Sequence, residues 1–420
     1  MPETRSSFAR RFPALASRDF AIFLVGQFIS VIGTWMQNTA QPYLAYRISG
    51  RPLDLGLIGF ASTLPTLVLA LPAGVLVERW DKRKTVIIFQ AIMALQAFAL
   101  AALTYSGQIQ IWHIGVLALI FGAASAVEIT ARQAMLIELS GREGLPSAIA
   151  LQTTVFNIGR VLGPLTASWL LTSSGTEGSV FLTNAVSYLF VIGGLLIIRT
   201  RYKVPREASG AKSLGMEFRE GLGYIRRNTL VASIILMSAL IGFFGFPLIQ
   251  QIPALARDVL KMTSDTEVII AARTSLLYAA QGAGALVAAL LAAYMSSSRN
   301  KGRMVTLGQV AFIFPLIALG YVRNLNASLV LLVLIGWGTV TQLVSMNTLI
   351  QVSVPNGLRG RVFSVYLWAL QGVAPFGSLL IGWLAQNWGV PHAALAGGLI
   401  SLVSISGLHL VSPGVRRAQA

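Results

Sequence analysis

Gly74–Lys84, GVLVERWDKRK, is where an unbroken apolar run gives way to six charged side chains within the seven residues 78–84. A chain whose hydrophobicity stops this abruptly in mixed charge is leaving a hydrocarbon layer for water. Working outward in both directions, the pattern repeats: apolar runs, each closed by a short polar or charged segment.

Composition agrees. Of 420 residues 55% are hydrophobic and 11% charged, with a mean hydropathy of +0.70. A water-soluble domain cannot cover that much apolar surface, whereas a lipid-facing one has no need to. There is no cysteine, so disulfides, thiolate metal sites and cysteine nucleophiles are excluded together. Met1–Arg18 is polar and carries Arg5, Arg10, Arg11 and Arg18. It lacks the form of a cleavable signal, so the first apolar helix is expected to direct insertion.

Apolar runs of about 20 residues, enough to cross a core roughly 30 Å thick, occur twelve times: 19–46, 54–77, 85–106, 111–138, 147–172, 179–199, 229–256, 269–295, 303–322, 326–352, 360–386 and 391–411. With the N-terminus inside, the cytoplasmic segments hold 24 Lys and Arg, against 6 outside. The net charge of +17 therefore reads as membrane orientation rather than nucleic-acid binding, with both termini cytoplasmic. The fold class expected is an all-α polytopic membrane protein of twelve transmembrane helices in a 6+6 arrangement. Its parts are a cytoplasmic N-terminal segment (1–18), a first six-helix bundle (19–199), a charged linker (200–228) with a short amphipathic helix near 216–227, a second bundle (229–411) and a tail (412–420). Pro42 and Pro253, and Pro164 and Pro375, both recur at an offset of 211, as an internal repeat of six spans would produce.

Gly74–Lys84 matches Gly-x-x-x-acid-Arg-x-x-basic-basic, the loop pattern between the second and third helices of the major facilitator superfamily. With Gly33-Thr34-Trp35-Met36-Gln37, the run Ala131–Ala134 leading to Glu138, and Gly159-Arg-Val-Leu-Gly163-Pro164, the chain resembles that superfamily along its whole length. Within it, the chain looks like the bacterial branch of enterobactin-exporter-like and drug or metabolite efflux proteins. The resemblance implies export of a small organic molecule by alternating access, coupled to protons, at the bacterial inner membrane. It also implies a cytoplasmic gate at Gly74, Glu78, Arg79, Asp81 and Arg83, with Glu78 and Arg79 latching and Glu138 as partner. Asp81 stands where the family usually has glycine. Lys82–Lys84 read more simply as charges anchoring the loop. The matching stretch Ser296–Arg303 has no acid, nor has any position after Glu267, so a coupling carboxylate belongs to the first half.

An ionisable side chain inside a span is costly and hence a candidate for function. His113, His392 and His409 fall near span ends, and among the acids Glu128 alone lies well inside an apolar run. Arg132 follows it at i+4, the favourable order for an ion pair, and Arg160 lies on span five. Two readings stay open: Glu128 as proton carrier with Arg132 and Arg160 as charge partners, or a permanent structural pair with Arg132. Gly159, Gly163, Pro164 and Pro375 read as sites of close helix packing and kinking. Gln27, Ser30, Thr34, Gln37, Asn38 and Gln41 form a polar stripe on span one. Facing a central cavity, with Trp35, Asn157, Gln281, Gln342, Asn347, Tyr366 and Gln371 as neighbours, it suits a neutral or anionic organic substrate. No cofactor or metal is expected, and the partners expected are substrate, protons and lipid, around a monomer. The alternatives are an uncoupled facilitator or lipid flippase of the same fold or, from another class, a membrane sensor or enzyme. For the last, the sequence offers no phosphate-binding glycine loop and no soluble domain.

Overall fold

The structure is a computed structural model, which describes residues 13–198, 214–295 and 300–418; within these, the side chains of 70, 71, 75, 76, 78, 79 and 214–218 are not described. The described residues are helical almost throughout and contain no strand. Span one is Arg18–Ser49, span two Pro52–Arg79, span three Lys82–Tyr105 and span six Glu177–Ile197. Spans four and five are one helical run, Ile111–Ser174. At 1.5 Å per residue its 64 residues would reach roughly 96 Å, three times a bilayer core. It turns back at Gly141, whose φ of 70° and ψ of 170° are not helical and suit glycine alone. Among the described residues eleven helical segments are long and apolar enough to cross a membrane; this one is long enough to cross twice, which makes twelve spans.

Cap residues set where spans start. Asp81 Oδ1 accepts from Lys84 N (3.0 Å) at span three, Thr176 Oγ1 from Gly178 N (3.2 Å) at span six, and Asn324 Oδ1 from Asn326 N (2.9 Å) at span ten. Each satisfies a backbone donor that the first helical turn leaves open. The cap role also gives a reason for an aspartate at 81.

In the second half the linker helix is Leu214–Arg227, followed by span eight (Glu267–Tyr294), span nine (Lys301–Leu319), span ten (Leu325–Ser353) and span twelve (Val390–Val411). Span seven starts as Thr229–Leu240 and then loosens into wide π turns at Ile241–Gly245 and Leu255–Val259. Apolar patterning does not forecast such turns, which often accompany function. Span eleven is broken: Asn356–Gly372, then Ala374–Trp388 with Pro375 in the first turn of the second piece, where its missing N–H costs least.

By contacts the chain forms two compact units. Unit one contains residues 13–41 and 68–198; unit two contains 42–67 and the described residues from 214 onward. Unit one packs around Phe20, Phe23, Val86, Ala131 and Leu195, with a second cluster at Met93, Ala97, Ala124 and Tyr188. Unit two packs around Ile234, Met237, Met346, Leu349 and Val362. The C-terminal end of span one and most of span two thus belong to the second unit.

Candidate functional site

In unit one, Glu128 is 3% exposed. Its Oε1 accepts from Arg132 Nε (3.0 Å) on its own helix and from Gln90 Nε2 (2.9 Å) on span three. A carboxylate withdrawn from water needs such donors. The arrangement joins an acid, its counter-cation and an amide that can follow either charge state. The sequence did not single out Gln90: an isolated glutamine in an apolar helix carries no periodic signal.

Arg160 turns to span one instead, its guanidinium carbon 5.4 Å from the centre of the Trp35 ring, a cation–π arrangement. Trp35 meets Phe156 edge-on at 5.4 Å. Gly159 and Gly163 allow this approach. A Cβ at Gly159 would lie 2.5 Å from Val31 Cγ1, and one at Gly163 2.3 Å from Trp35 Cβ. Span five lies directly on span one there, and Pro164 is buried within the continuing helix.

The polar stripe of span one divides. Gln27, Ser30, Gln37 and Gln41 are buried, while Asn38 is exposed. Gln37 Nε2 donates to Gln41 Oε1 (3.1 Å) and Gln96 Oε1 (3.2 Å), and Gln37 Oε1 accepts from Asn184 Nδ2 (2.7 Å). Thr34 Oγ1 lies 3.2 Å from Tyr188 Oη. Gly33 makes room, since a Cβ there would stand 2.3 Å from Ser187 Oγ. This part of the stripe is an amide and hydroxyl network clamping span one to spans three and six. This part of the stripe avoids lipid by facing helices, and its partners Gln96, Asn184, Ser187 and Tyr188 were not foreseen.

At the charged edge, Lys82 reaches Glu138 at the end of span four, and Arg83 Nη2 donates to Leu196 O (3.1 Å) at the end of span six. The residue holding Glu138 is thus Lys82, which the sequence reading assigned to anchoring. The side chains of Glu78 and Arg79, the expected latch, lie outside the described residues. A Cβ at Gly74 would meet nothing within 4 Å, so packing alone does not demand glycine there. Residues 296–299 of the second-half loop are likewise outside the description.

In unit two, Gln281 and Gln342 are buried inside the helix bundle, at 4% and 0% exposure. Gln342 has neither amide atom hydrogen-bonded. Asn347 Oδ1 accepts from Gln351 Nε2 (2.5 Å), and Tyr366 donates to Leu343 O (3.4 Å). Asn157, in unit one, donates to Thr153 O (2.8 Å) on its own helix. Gln371 lines a cavity of about 320 Å³ with Thr63, Thr66 and Gln250. Also in this unit Tyr43 Oη donates to Glu267 O (2.9 Å), Arg257 pairs with the Glu267 carboxylate, and Tyr46 donates to Asp258. Arg273 pairs with Asp265 and donates to Leu260 O, each at 2.7 Å. Among the described residues no group of His and acids is arranged to hold a metal ion.

The transmembrane secretion effector family of the major facilitator superfamily matches residues 9–418. The chain is 26% identical over 370 residues to the staphyloferrin A transporter of Staphylococcus aureus, covering 88% of this chain and 90% of that one. It is 24% identical over 399 residues to the enterobactin exporter EntS of Escherichia coli, covering 94% and 92%. In structure it is similar to a point mutant of the nucleoside transporter NupG, with a TM-score of 0.74 at 12% identity over 94% of this chain and 99% of that one. The chain belongs to the transmembrane secretion effector family, and is a multi-pass membrane transporter with the major facilitator fold rather than an enzyme.

Proposed function

We propose that this protein exports a small organic molecule, of the siderophore or drug kind, from the cytoplasm by alternating access, driven by protons entering through Glu128. It sits in the bacterial inner membrane as a monomer with both termini cytoplasmic. The substrate class is supported by the relatives' names, a staphyloferrin A transporter and an enterobactin exporter.

The observation that carries the coupling is the Glu128 site: a carboxylate 3% exposed within a span, held by Arg132 and Gln90 at 3.0 and 2.9 Å. Protonation cancels the attraction to Arg132, on the same helix, and weakens the charge-assisted tie of span four to Gln90 on span three. Deprotonation restores both. Such a site gives two states whose balance a proton biases, as a coupled carrier requires. Lys82–Glu138 and Arg83–Leu196 at the cytoplasmic edge, and Tyr43 and Tyr46 at the outer end of unit two, are contacts to be broken and remade during the cycle.

The test is proton movement. Purified protein in proteoliposomes holding a pH-sensitive dye is given a panel of fluorescent amphipathic organic molecules. Substrate addition is expected to move protons in the opposite direction. Substrate entry with no change in the dye would overturn coupling; no entry of any member would overturn export of this class.

A further inference from the structure

The segment that follows span twelve is packed into unit two. Gly414–Arg417 forms one helical turn. Val415 in that turn is fully buried, in one cluster with Ile234 of span seven and Val305 of span nine, and Gly302 N donates to Ala418 O (3.0 Å). The approach needs a glycine at the start of span nine. A Cβ at Gly302 would stand 2.0 Å from Val415 O and 2.9 Å from Arg416 C. Both atoms are backbone, so no side-chain adjustment makes room.

Arg416 and Arg417 are thereby fixed beside Arg303, the residue after Gly302, and all three are exposed. None of the three is ion-paired among the described residues. The sequence leaves little to pair them with: residues 268–420 carry nine Lys and Arg and no acid, and Glu220 of the linker helix is taken by Arg361.

The surroundings are those of a membrane edge. Leu410 and Val411, the last residues of span twelve, are 83% and 75% exposed, and Tyr294 at the end of span eight is 87% exposed. Lys301 Nζ donates to Met295 O (3.0 Å), which keeps the end of span eight next to the start of span nine. Large apolar side chains left open at the end of a span lie against acyl chains, and tyrosine favours the boundary between those chains and the headgroups.

We infer that Arg303, Arg416 and Arg417 form a binding site for the phosphate of an anionic phospholipid, whose acyl chains run along Leu410 and Val411, and that the docked turn holds this site together. Guanidinium donors match phosphate oxygens in charge and in geometry. An arginine near a membrane surface is worth about fivefold in preference for anionic lipid. Sorting of positive charge to one side of the membrane asks only that arginines lie there. It does not ask for backbones so close that only glycine fits between them. The site stands apart from Glu128 and from the direction of transport.

The experiment gives the purified full chain an equimolar mixture of dioleoyl phosphatidylglycerol, the anion, and dioleoyl phosphatidylcholine, the zwitterion, in mixed detergent micelles. The lipids retained are counted by native mass spectrometry. The parent is expected to retain the anion over the zwitterion by about fivefold or more, and Arg416→Ala and Arg417→Ala should each lower that ratio by up to about fivefold. Arg323→Ala removes an equally exposed arginine from the loop between spans nine and ten and should leave the ratio unchanged. Gly302→Ala keeps every charge but drives the turn away, and should lower the ratio as the arginine variants do. In a thermal melt the anionic lipid should raise the midpoint of the parent, and inorganic phosphate at the same concentration should not. Equal retention of the two lipids by the parent, an equal loss in Arg323→Ala, a ratio untouched by Gly302→Ala, or the same stabilisation by phosphate alone would each overturn the site.

Discussion

Gly163→Ala is the sharpest test of how unit one is built. A Cβ at 163 would lie 2.3 Å from Trp35 Cβ, 2.9 Å from Trp35 C and 3.0 Å from Met36 N. Two of those atoms are backbone, so no rotamer change relieves the overlap. To reach an ordinary contact near 3.4 Å, spans one and five must part by about 1 Å. Overpacking of this kind costs about 1–3 kcal/mol, a factor of roughly 5 to 150 at about 1.4 kcal/mol per tenfold. The same shift moves Trp35 from beneath the Arg160 guanidinium, 5.4 Å away. Gly193→Ala on span six is the control, because a Cβ there meets nothing within 4 Å and helix propensity favours alanine by about 1 kcal/mol. The assay is the thermal midpoint of the purified protein in detergent, read by size-exclusion recovery after heating. Gly163→Ala should fall clearly below the parent and Gly193→Ala should match or exceed it. A Gly163→Ala midpoint at or above that of Gly193→Ala would refute the packing argument.

Four further outcomes are expected. Asp81→Ala should destabilise by about 1 kcal/mol through loss of the cap on Lys84 N, while Asp81→Gly should cost only a few tenths; thermal midpoints of the two variants check this. Gln37→Leu should cost about 1–3 kcal/mol by stranding Asn184 and Gln96, and Gln37→Glu, which keeps the length but turns the donor toward Gln41 and Gln96 into a buried acceptor, should not recover it. Lys82→Met and Glu138→Gln remove the same pair, whose side chains are 21% and 24% exposed, so stability should change by less than about 1 kcal/mol. Their effects on transport rate should coincide and not add in the double variant. Arg273, by hydrogen bonding, holds the Asp265 carboxyl below the usual carboxylate range. Between that lowered value and the unfolded value near 3.9 the unfolded chain binds more protons. The tie of the loop before span eight to that span is therefore fully present above that window and lost as pH falls through it. Amide exchange at Leu260–Asp265 against pH reads this, and in Asp265→Asn the acid step should vanish.

The spans and the family were legible because hydrocarbon thickness and the charged edges of each apolar run impose long patterns on the sequence. What those patterns leave out is which neighbour a helix faces. Periodicity shows that the Gln27–Gln41 stripe cannot meet lipid, yet whether it meets a cavity or other helices depends on Gln96, Asn184 and Tyr188, each a lone polar residue in an apolar run. The partner of Glu138 was missed for a similar reason: in a cluster of three cations, sequence cannot say which one bends back to span four. The Gly141 break and the π turns of span seven are single-residue backbone events that carry no period. The cavity beside Gln250 was legible only at Gln371, because its polar groups come one or two at a time from spans two, seven and eleven.

Glu128 carries the central claim, and one variant tests it most directly. Glu128→Gln keeps an acceptor for Gln90 and Arg132 but cannot cycle a proton. In proteoliposomes it should retain exchange of labelled for unlabelled substrate at equal pH on both sides, while losing accumulation driven by a pH gradient. Accumulation at the parent's level in Glu128→Gln would contradict the account.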